Sequence, residues 1–103
     1  MFIFDLVNIM SVRITCINKD GGNHYNQHEA IEKLGWIDEA SGKRGISTRL
    51  EMVDFIEKGG SAYVERGGKK AYLIVKRSIS GNKFVQTIAD GRETNNLLEL
   101  SEC

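Results

Sequence analysis

The residues best suited to chemistry are concentrated in one segment, KDGGNHYNQHEAIEKLGW, at residues 19–36. Gly21 and Gly22 follow an apolar run and precede a helix-start pattern, an arrangement in which free backbone N–H groups can bind an anion. His24 and His28 lie four positions apart, the spacing of two metal ligands on one face of a helix. The segment therefore offers three alternatives: a phosphate cradle, a metal site, or the entrance to a helix.

The third alternative accounts for more of these residues. The glycine spacing fits neither nucleotide-binding fingerprint, G-x-G-x-x-G or G-x-x-x-x-G-K-[ST]. Asn26 is a favoured N-cap, and Glu29 stands three positions later, where a capping box needs it. Because His24 precedes this N-cap, the two histidines would not share a helix face, so we predict a turn and a helix start without a bound metal. A candidate ligand loop is kept as the alternative: Gly21, Gly22, His24 and His28.

The case for catalysis rests on a single nucleophile and base combination, Cys16 with His24 or His28. Cys16 shares its parity with Val12 and Ile14 in an alternating run, which predicts a buried and inert thiol. We predict no catalytic residue and no cofactor. An enzyme that uses His24 or His28 is a weaker alternative than the two binding functions considered below.

The composition indicates an ordinary globular domain. The chain has 103 residues, 41% of them hydrophobic, and its 14 basic residues balance 14 acidic ones. A balanced charge gives no long-range attraction to nucleic acid or to anionic lipid, and no apolar run reaches the roughly 18 residues that span a bilayer. The two cysteines, Cys16 and Cys103, are far apart and form no CxxC pair, so we predict a reduced cytoplasmic protein without disulfides.

The elements that position these residues follow from the hydrophobic periods. An alternating run at SVRITCINK predicts a strand, and helices are predicted at about residues 27–34 and 49–58, the second with a Thr48–Glu51 capping box. Two hairpins follow. The first turns at Gly67-Gly68, and the second turns near Gly81-Asn82.

These elements predict an α+β fold: a single small domain of order β-α-α-β-β-β, with two helices packed on one antiparallel sheet and a C-terminal docking tail. Residues 11–103 form the domain. Residues 1–10 are an N-terminal extension or an added strand, with Met10 as an alternative start.

The hairpin registers assign side chains to the two faces of the sheet. The first places Tyr63 opposite Tyr72, and the second places Ile79 opposite Phe84. One face then collects the predicted core: Ala62, Val64, Ala71, Leu73, Val75, Ile79, Phe84 and Ile88. The other face is half polar and carries the predicted binding residues: Tyr63, Tyr72, Lys76, Lys70 and Lys69.

Charge is segregated along the chain. Between Arg66 and Lys83 there are only basic charges, whereas residues 29–57 are mainly acidic. Aromatic and basic side chains on one sheet face are typical of proteins that bind single-stranded nucleic acid. Lysines at hairpin ends also deter aggregation, which is the simpler interpretation.

Three segments carry a family resemblance: RITCINKDGGNHYNQHEAIEKLGWI, GKRGISTRLEMVDFIEKGGSAYVE and FVQTIADGRETNNLLELSEC. Over residues 12–103 the chain resembles the bacterial domain-of-unknown-function family 3892. The resemblance implies a small cytoplasmic bacterial domain without an established activity, ligand or catalytic residue, so it supplies no site residues.

We therefore predict a non-catalytic binding or accessory domain that contacts a partner, either another protein or a second copy of the chain, through one sheet face and not a membrane. A single-stranded nucleic-acid binder is the alternative.

Overall fold

A computed structural model describes residues 9–22 and 27–103, which form one seven-stranded sheet and one α-helix. The strands are β1 (Ser11–Lys19), β2 (Ile31–Ile37), β3 (Arg44–Thr48), β4 (Ser61–Arg66), β5 (Lys69–Arg77), β6 (Lys83–Ala89) and β7 (Arg92–Thr94), and the helix is α1 (Arg49–Glu57). Their order across the sheet is β3-β2-β1-β4-β5-β6-β7, and β1 and β4 are parallel while the other neighbours are antiparallel. The prediction of two helices on an antiparallel sheet was wrong, because the described chain is mostly strand.

The first predicted helix, residues 27–34, is a single 3-10 turn followed by β2. The pairing of β2 with β1 skips Glu32, which is therefore an extra residue in the strand. This bulge turns Ile31 and Leu34 to the same buried face although they are three positions apart. Apolar residues three positions apart normally indicate a helix. The bulge produced this spacing in a strand, which is why a helix was predicted here.

The second predicted helix is confirmed as α1. Thr48 Oγ1 accepts a hydrogen bond from the N–H of Glu51 at 3.2 Å, and Glu51 Oε1 accepts one from the N–H of Thr48 at 2.8 Å. This capping box satisfies two backbone donors at the start of the helix. The helix packs on one face of the sheet, which we call the helix face. The buried side chains of α1 are Met52, Val53 and Phe55.

Trp36 occupies the core at the side of the sheet near β3. Its side chain is 1% exposed, and its indole N–H donates to Ser47 Oγ at 3.0 Å. The ring lies across Gly45 on the neighbouring strand, where a Cβ atom would come within 2.8 Å of it. A glycine at this position is therefore required for the close approach of the ring.

The first hairpin has the predicted register. Tyr63 pairs with Tyr72, and Gly67 and Gly68 both have positive φ, as a type I′ turn requires. The like-charge pair Arg66–Lys69 adjoins this turn, and the opposite-charge pair Glu65–Lys70 follows it.

The register predicted for the second hairpin was wrong. Val75 pairs with Val85, not with Ile88, because the loop contains five residues, 78–82, instead of two. A shift of three positions moves side chains to the other face of the sheet. Phe84 consequently leaves the helix face, and Ile79 is 86% exposed in the loop.

The C-terminal tail returns to β1. Leu97 is fully buried in the core, and beyond it the N–H of Ile17 donates to the carbonyl of Ser101 at 3.0 Å. The N–H of Cys103 donates back to the carbonyl of Ile17 at 3.2 Å. Cys16 and Cys103 form a disulfide with their Cα atoms 4.8 Å apart. The prediction of a chain without disulfides was wrong, because distance in sequence does not show which residues the sheet brings together.

No helix in the described parts of the chain is long and apolar enough to span a membrane.

Candidate functional site

The face of the sheet opposite α1, which we call the open face, carries the predicted tyrosine pair. The rings of Tyr63 on β4 and Tyr72 on β5 have centroids 5.8 Å apart and are inclined by 56°. Tyr63 is 5% exposed, whereas Tyr72 is 44% exposed. Only the ring of Tyr72 therefore presents a large area for contact with another molecule.

Tyr63 is held by side chains from three other segments. Its hydroxyl donates to Glu39 Oε1 at 2.7 Å, and Arg13 Nε donates to Glu39 Oε2 at 3.0 Å. The Nζ atom of Lys70 lies 4.4 Å from the centroid of the Tyr63 ring, in cation–π geometry. Tyr63 is thus held at its hydroxyl by Glu39 and on one ring face by Lys70.

These contacts shift two pKa values in opposite directions. The hydrogen bond from Tyr63 and then that from Arg13 lower the pKa of Glu39 below its ordinary value of 4.5. Burial and then the hydrogen bond to Glu39 raise the pKa of Tyr63 to about 12. At neutral pH the pair consequently consists of a carboxylate that accepts and a neutral phenol that donates.

The structure separates the predicted lysines. Lys70 lies beside the tyrosine pair. Lys76 lies six positions further along β5 and forms an ion pair with Glu93 of β7. Lys69 is exposed at the hairpin end, and by strand alternation it belongs to the helix face. The predicted basic track on the open face is therefore interrupted.

His28 lies in the 3-10 turn and is 2% exposed. Its ring is 6.4 Å from the ring of Phe84, at an interplanar angle of 32°. Burial and the nearby charge of Lys76 lower the pKa of His28 below 6.5, although Glu93 opposes the shift. Burial therefore favours the neutral form of this ring. His24 and the predicted N-cap Asn26 lie outside the described residues.

Two glycines of the candidate ligand loop, Gly21 and Gly22, lie in a turn that Asp20 closes. The N–H of Gly22 donates to the carboxylate of Asp20 at 2.7 Å, and Gly21 has a φ of 76°. This is the geometry of an Asx turn. The Asp20 carboxylate therefore occupies the Gly22 N–H, one of the donors that a bound anion would need.

Residues of the described chain line two surface depressions. The larger, of 470 Å³, has a mixed-charge rim that includes Asp20, Glu32 and Arg49. The smaller, of 260 Å³, reaches Cys16, and Arg44 and Ile46 form part of its wall. Within the described residues, no three His, Cys, Asp or Glu side chains converge as a metal site would require.

Sequence reasoning missed Glu39 and Arg13. Arg13 pairs with Tyr63 across the parallel β1–β4 contact, and Glu39 reaches both from the loop after β2. Parallel pairing joins segments that are distant in the chain, and no local pattern announces it. The sequence did contain one signal for this contact. Glu39 lies in the mostly acidic stretch of residues 29–57, which could be expected to pack near the basic stretch of residues 66–83.

Comparison with known proteins identifies the family and no activity. Neither a curated protein nor a solved structure matches the chain. The family model described as a protein of unknown function (DUF3892) matches residues 13–101. Because this match covers most of the chain, the protein belongs to the DUF3892 family.

Proposed function

We propose that the chain is a small non-catalytic binding domain that contacts an acidic segment of a partner protein. Its contact surface is the Tyr72 surface, which consists of Tyr72 and Lys70 supported by Tyr63. The observation that carries the proposal is the 44% exposure of Tyr72 against a buried and hydrogen-bonded second tyrosine.

The support of Tyr72 favours a binding role. Binding hot spots are enriched in tyrosine, and they are strongest where the side chain is ordered before the partner arrives. Tyr72 packs against Tyr63, which Glu39 and Arg13 immobilise. A tyrosine held in this way loses little conformational freedom on binding.

The local charge favours an acidic partner. Lys70 adjoins the ring pair, and Lys69 is exposed at the end of the same hairpin. Glu65 pairs with Lys70 across the hairpin and offsets part of this charge. Lys69 stands on the helix face, but at the hairpin end three basic side chains (Arg66, Lys69 and Lys70) outnumber Glu65 and the Glu99 that pairs with Arg66. The excess at that end is basic, and complementary charge speeds association and selects the partner.

A protein partner fits better than single-stranded nucleic acid. A stacking platform presents several aromatic faces in succession, but Tyr63 is covered and Tyr72 alone offers a broad ring face on this hairpin. The phosphate track would also need Lys76, whose ammonium group is paired with Glu93. Nucleic acid therefore remains an outcome of the test and not the proposal.

The test compares three proteins as bait in lysates of cells that naturally express the chain: wild type, Tyr72→Ala, and Ile79→Ala as a control. Ile79 is more exposed than Tyr72 but lies in the β5–β6 loop, outside the Tyr72 surface. A partner captured by wild type and the control, and lost with Tyr72→Ala, is then purified and titrated by calorimetry. We expect Tyr72→Ala to weaken the reconstituted complex by about 2 kcal/mol, or roughly 30-fold in Kd.

Two results would overturn the proposal. One is a partner whose affinity is the same for wild type and Tyr72→Ala. The other is Tyr72-dependent binding of a labelled single-stranded oligonucleotide at low salt, where the electrostatic contribution is largest. That second result would establish the nucleic-acid alternative instead.

The predicted cytoplasmic location is also part of this proposal. Fractionation of cells that express the natural protein at its normal level tests it directly.

A further inference from the structure

The C-terminal end of the chain fills a gap beside β1. One edge of β1 pairs with β2, but along the other edge β4 pairs with it only over residues 11–13. Further along that second edge, Glu102 forms a parallel bridge with Ile17. The last three residues thus replace β4 as the neighbour of β1.

These three residues have few contacts besides the disulfide. Ser101, Glu102 and Cys103 are all exposed. Within the described chain, the carbonyl of Ser101 accepts from Ile17, and the N–H of Cys103 donates to Ile17. Upstream, Leu97 is anchored in the core. The disulfide and these two hydrogen bonds therefore hold residues 101–103 on β1, and the buried side chain of Leu97 fixes the chain just before them.

The disulfide is accessible from solvent. Cys103 is exposed and Cys16 is half-buried. The 260 Å³ depression reaches Cys16, and Arg44 also lines it. An open approach at Cys16 and an exposed Cys103 give a thiol access to the bond, and a basic residue in the wall of the depression favours the thiolate form of Cys16. Buried structural disulfides have neither feature.

We propose that the Cys16–Cys103 disulfide is a thiol-exchange site at which a dithiol reductant releases residues 101–103 from β1. This inference is independent of the Tyr72 surface. Because Cys103 is the exposed residue of the pair, its Sγ is the point of attack. A thiolate of the reductant bonds to it, the Cys16–Cys103 bond breaks, and Cys16 leaves as a thiolate that takes up a proton.

The second thiol of the reductant completes the exchange. It attacks the reductant sulfur of the mixed disulfide, closes the reductant's own disulfide and releases Cys103 as a thiol. Two electrons and two protons pass from the reductant to the chain. The freed residues then separate from β1, because two backbone hydrogen bonds do not hold an exposed segment against its gain in conformational entropy.

Hydrogen exchange on the full chain tests the release, with reduction by dithiothreitol. The N–H of Ile17 reports on the tail, since its acceptor is Ser101. The N–H of Ser61 is the matched internal reference, because it donates to Met10 on the same side of β1 at 2.9 Å. On reduction we expect exchange at Ile17 to accelerate about 100-fold more than exchange at Ser61, which reports the loss of global stability that both amides share.

Two variants separate the disulfide from the rest of the tail. Cys103→Ser should show the exchange pattern of the reduced protein and no response to dithiothreitol. Glu102→Ala should keep both the disulfide and the response, because the bridge to Ile17 uses only backbone atoms.

Three results would overturn the proposal. The Ile17 N–H could exchange at the same rate in both redox states. Ile17 and Ser61 could lose protection by the same factor on reduction, which would make the disulfide a structural cross-link without local release. Finally, free-thiol titration could show that both cysteines stay reduced in excess oxidised glutathione.

Discussion

Loss of the disulfide should lower the free energy of unfolding by an amount set by the length of the loop that it closes. Cys16 and Cys103 are 87 positions apart, so the bond constrains almost the whole unfolded chain. The loop-entropy relation gives about 4.6 kcal/mol at 25 °C for a loop of this length. A domain of this size has a stability of roughly 5–15 kcal/mol, so reduction should leave a folded but much weaker protein.

Guanidinium unfolding followed by tryptophan fluorescence measures this loss. Trp36 is the only tryptophan and is almost fully buried, so its emission reports on the core. We compare the oxidised wild type, the reduced wild type and the Cys16→Ser/Cys103→Ser double variant, and the last two should agree. A loss below about 1 kcal/mol would refute the argument from loop entropy. A changed m-value would indicate that the disulfide also alters the compactness of the unfolded state.

Four further predictions concern single side chains. Gly45→Ala should cost about 1–3 kcal/mol of stability in guanidinium unfolding, because the new Cβ would overlap the ring of Trp36; an unchanged midpoint would contradict this. Thr48→Ala removes the N-cap hydroxyl of α1 and should cost about 1 kcal/mol in the same assay, whereas Thr48→Ser should restore most of it. Absorbance titration should show one tyrosine ionising near pH 12, and Tyr63→Phe should abolish that step. Since the folded pKa of Tyr63 is raised, its contribution to stability is complete below pH 10 and is lost as the pH rises toward 12. For His28 the folded pKa is lowered, so its contribution is present above pH 6.5 and is lost as the pH falls through the folded pKa; an NMR titration midpoint at or above 6.5 would contradict this.

The features predicted correctly from the sequence depend on residues close together in the chain. The helix α1 follows from a capping box at Thr48 and two glycines beyond its end. The first hairpin follows from Gly67-Gly68 and the pairing of Glu65 with Lys70. In both cases a turn or cap determines the element and the hydrophobic pattern agrees with it.

The errors arise where an extra residue changes the period. Glu32 bulges out of β2 and gives a strand the spacing of a helix. The β5–β6 loop takes five residues, with Ser78 donating to the carbonyl of Asn82 at 2.8 Å and Gly81 at a φ of 91°. A two-residue turn at Gly81-Asn82 is locally reasonable as well. The sequence alone gave no reason to choose between them, and the face assignment of Phe84 depended on that choice.

The candidate site was predictable only in part for a related reason. The pairing of Tyr63 with Tyr72 is local to one hairpin, and it was foreseen. The burial of Tyr63 depends on Glu39, which a loop 24 positions earlier brings over its hydroxyl. Only the assembled sheet decides which of the two rings stays exposed.

Two groups of contacts were not foreseen, the hydrogen bonds that join Arg13, Glu39 and Tyr63, and the disulfide between Cys16 and Cys103. Both involve β1, but at different positions along the strand. Arg13, near its start, pairs with Tyr63 and holds Glu39. Cys16 and Ile17, beyond the end of the pairing with β4, hold the C-terminal tail. The hydrogen bonds that fix Tyr63 include no atom of the tail, so they do not require the disulfide. Reduction should therefore free residues 101–103 while the Tyr72 surface keeps its shape, and binding at that surface should be the same in both redox states.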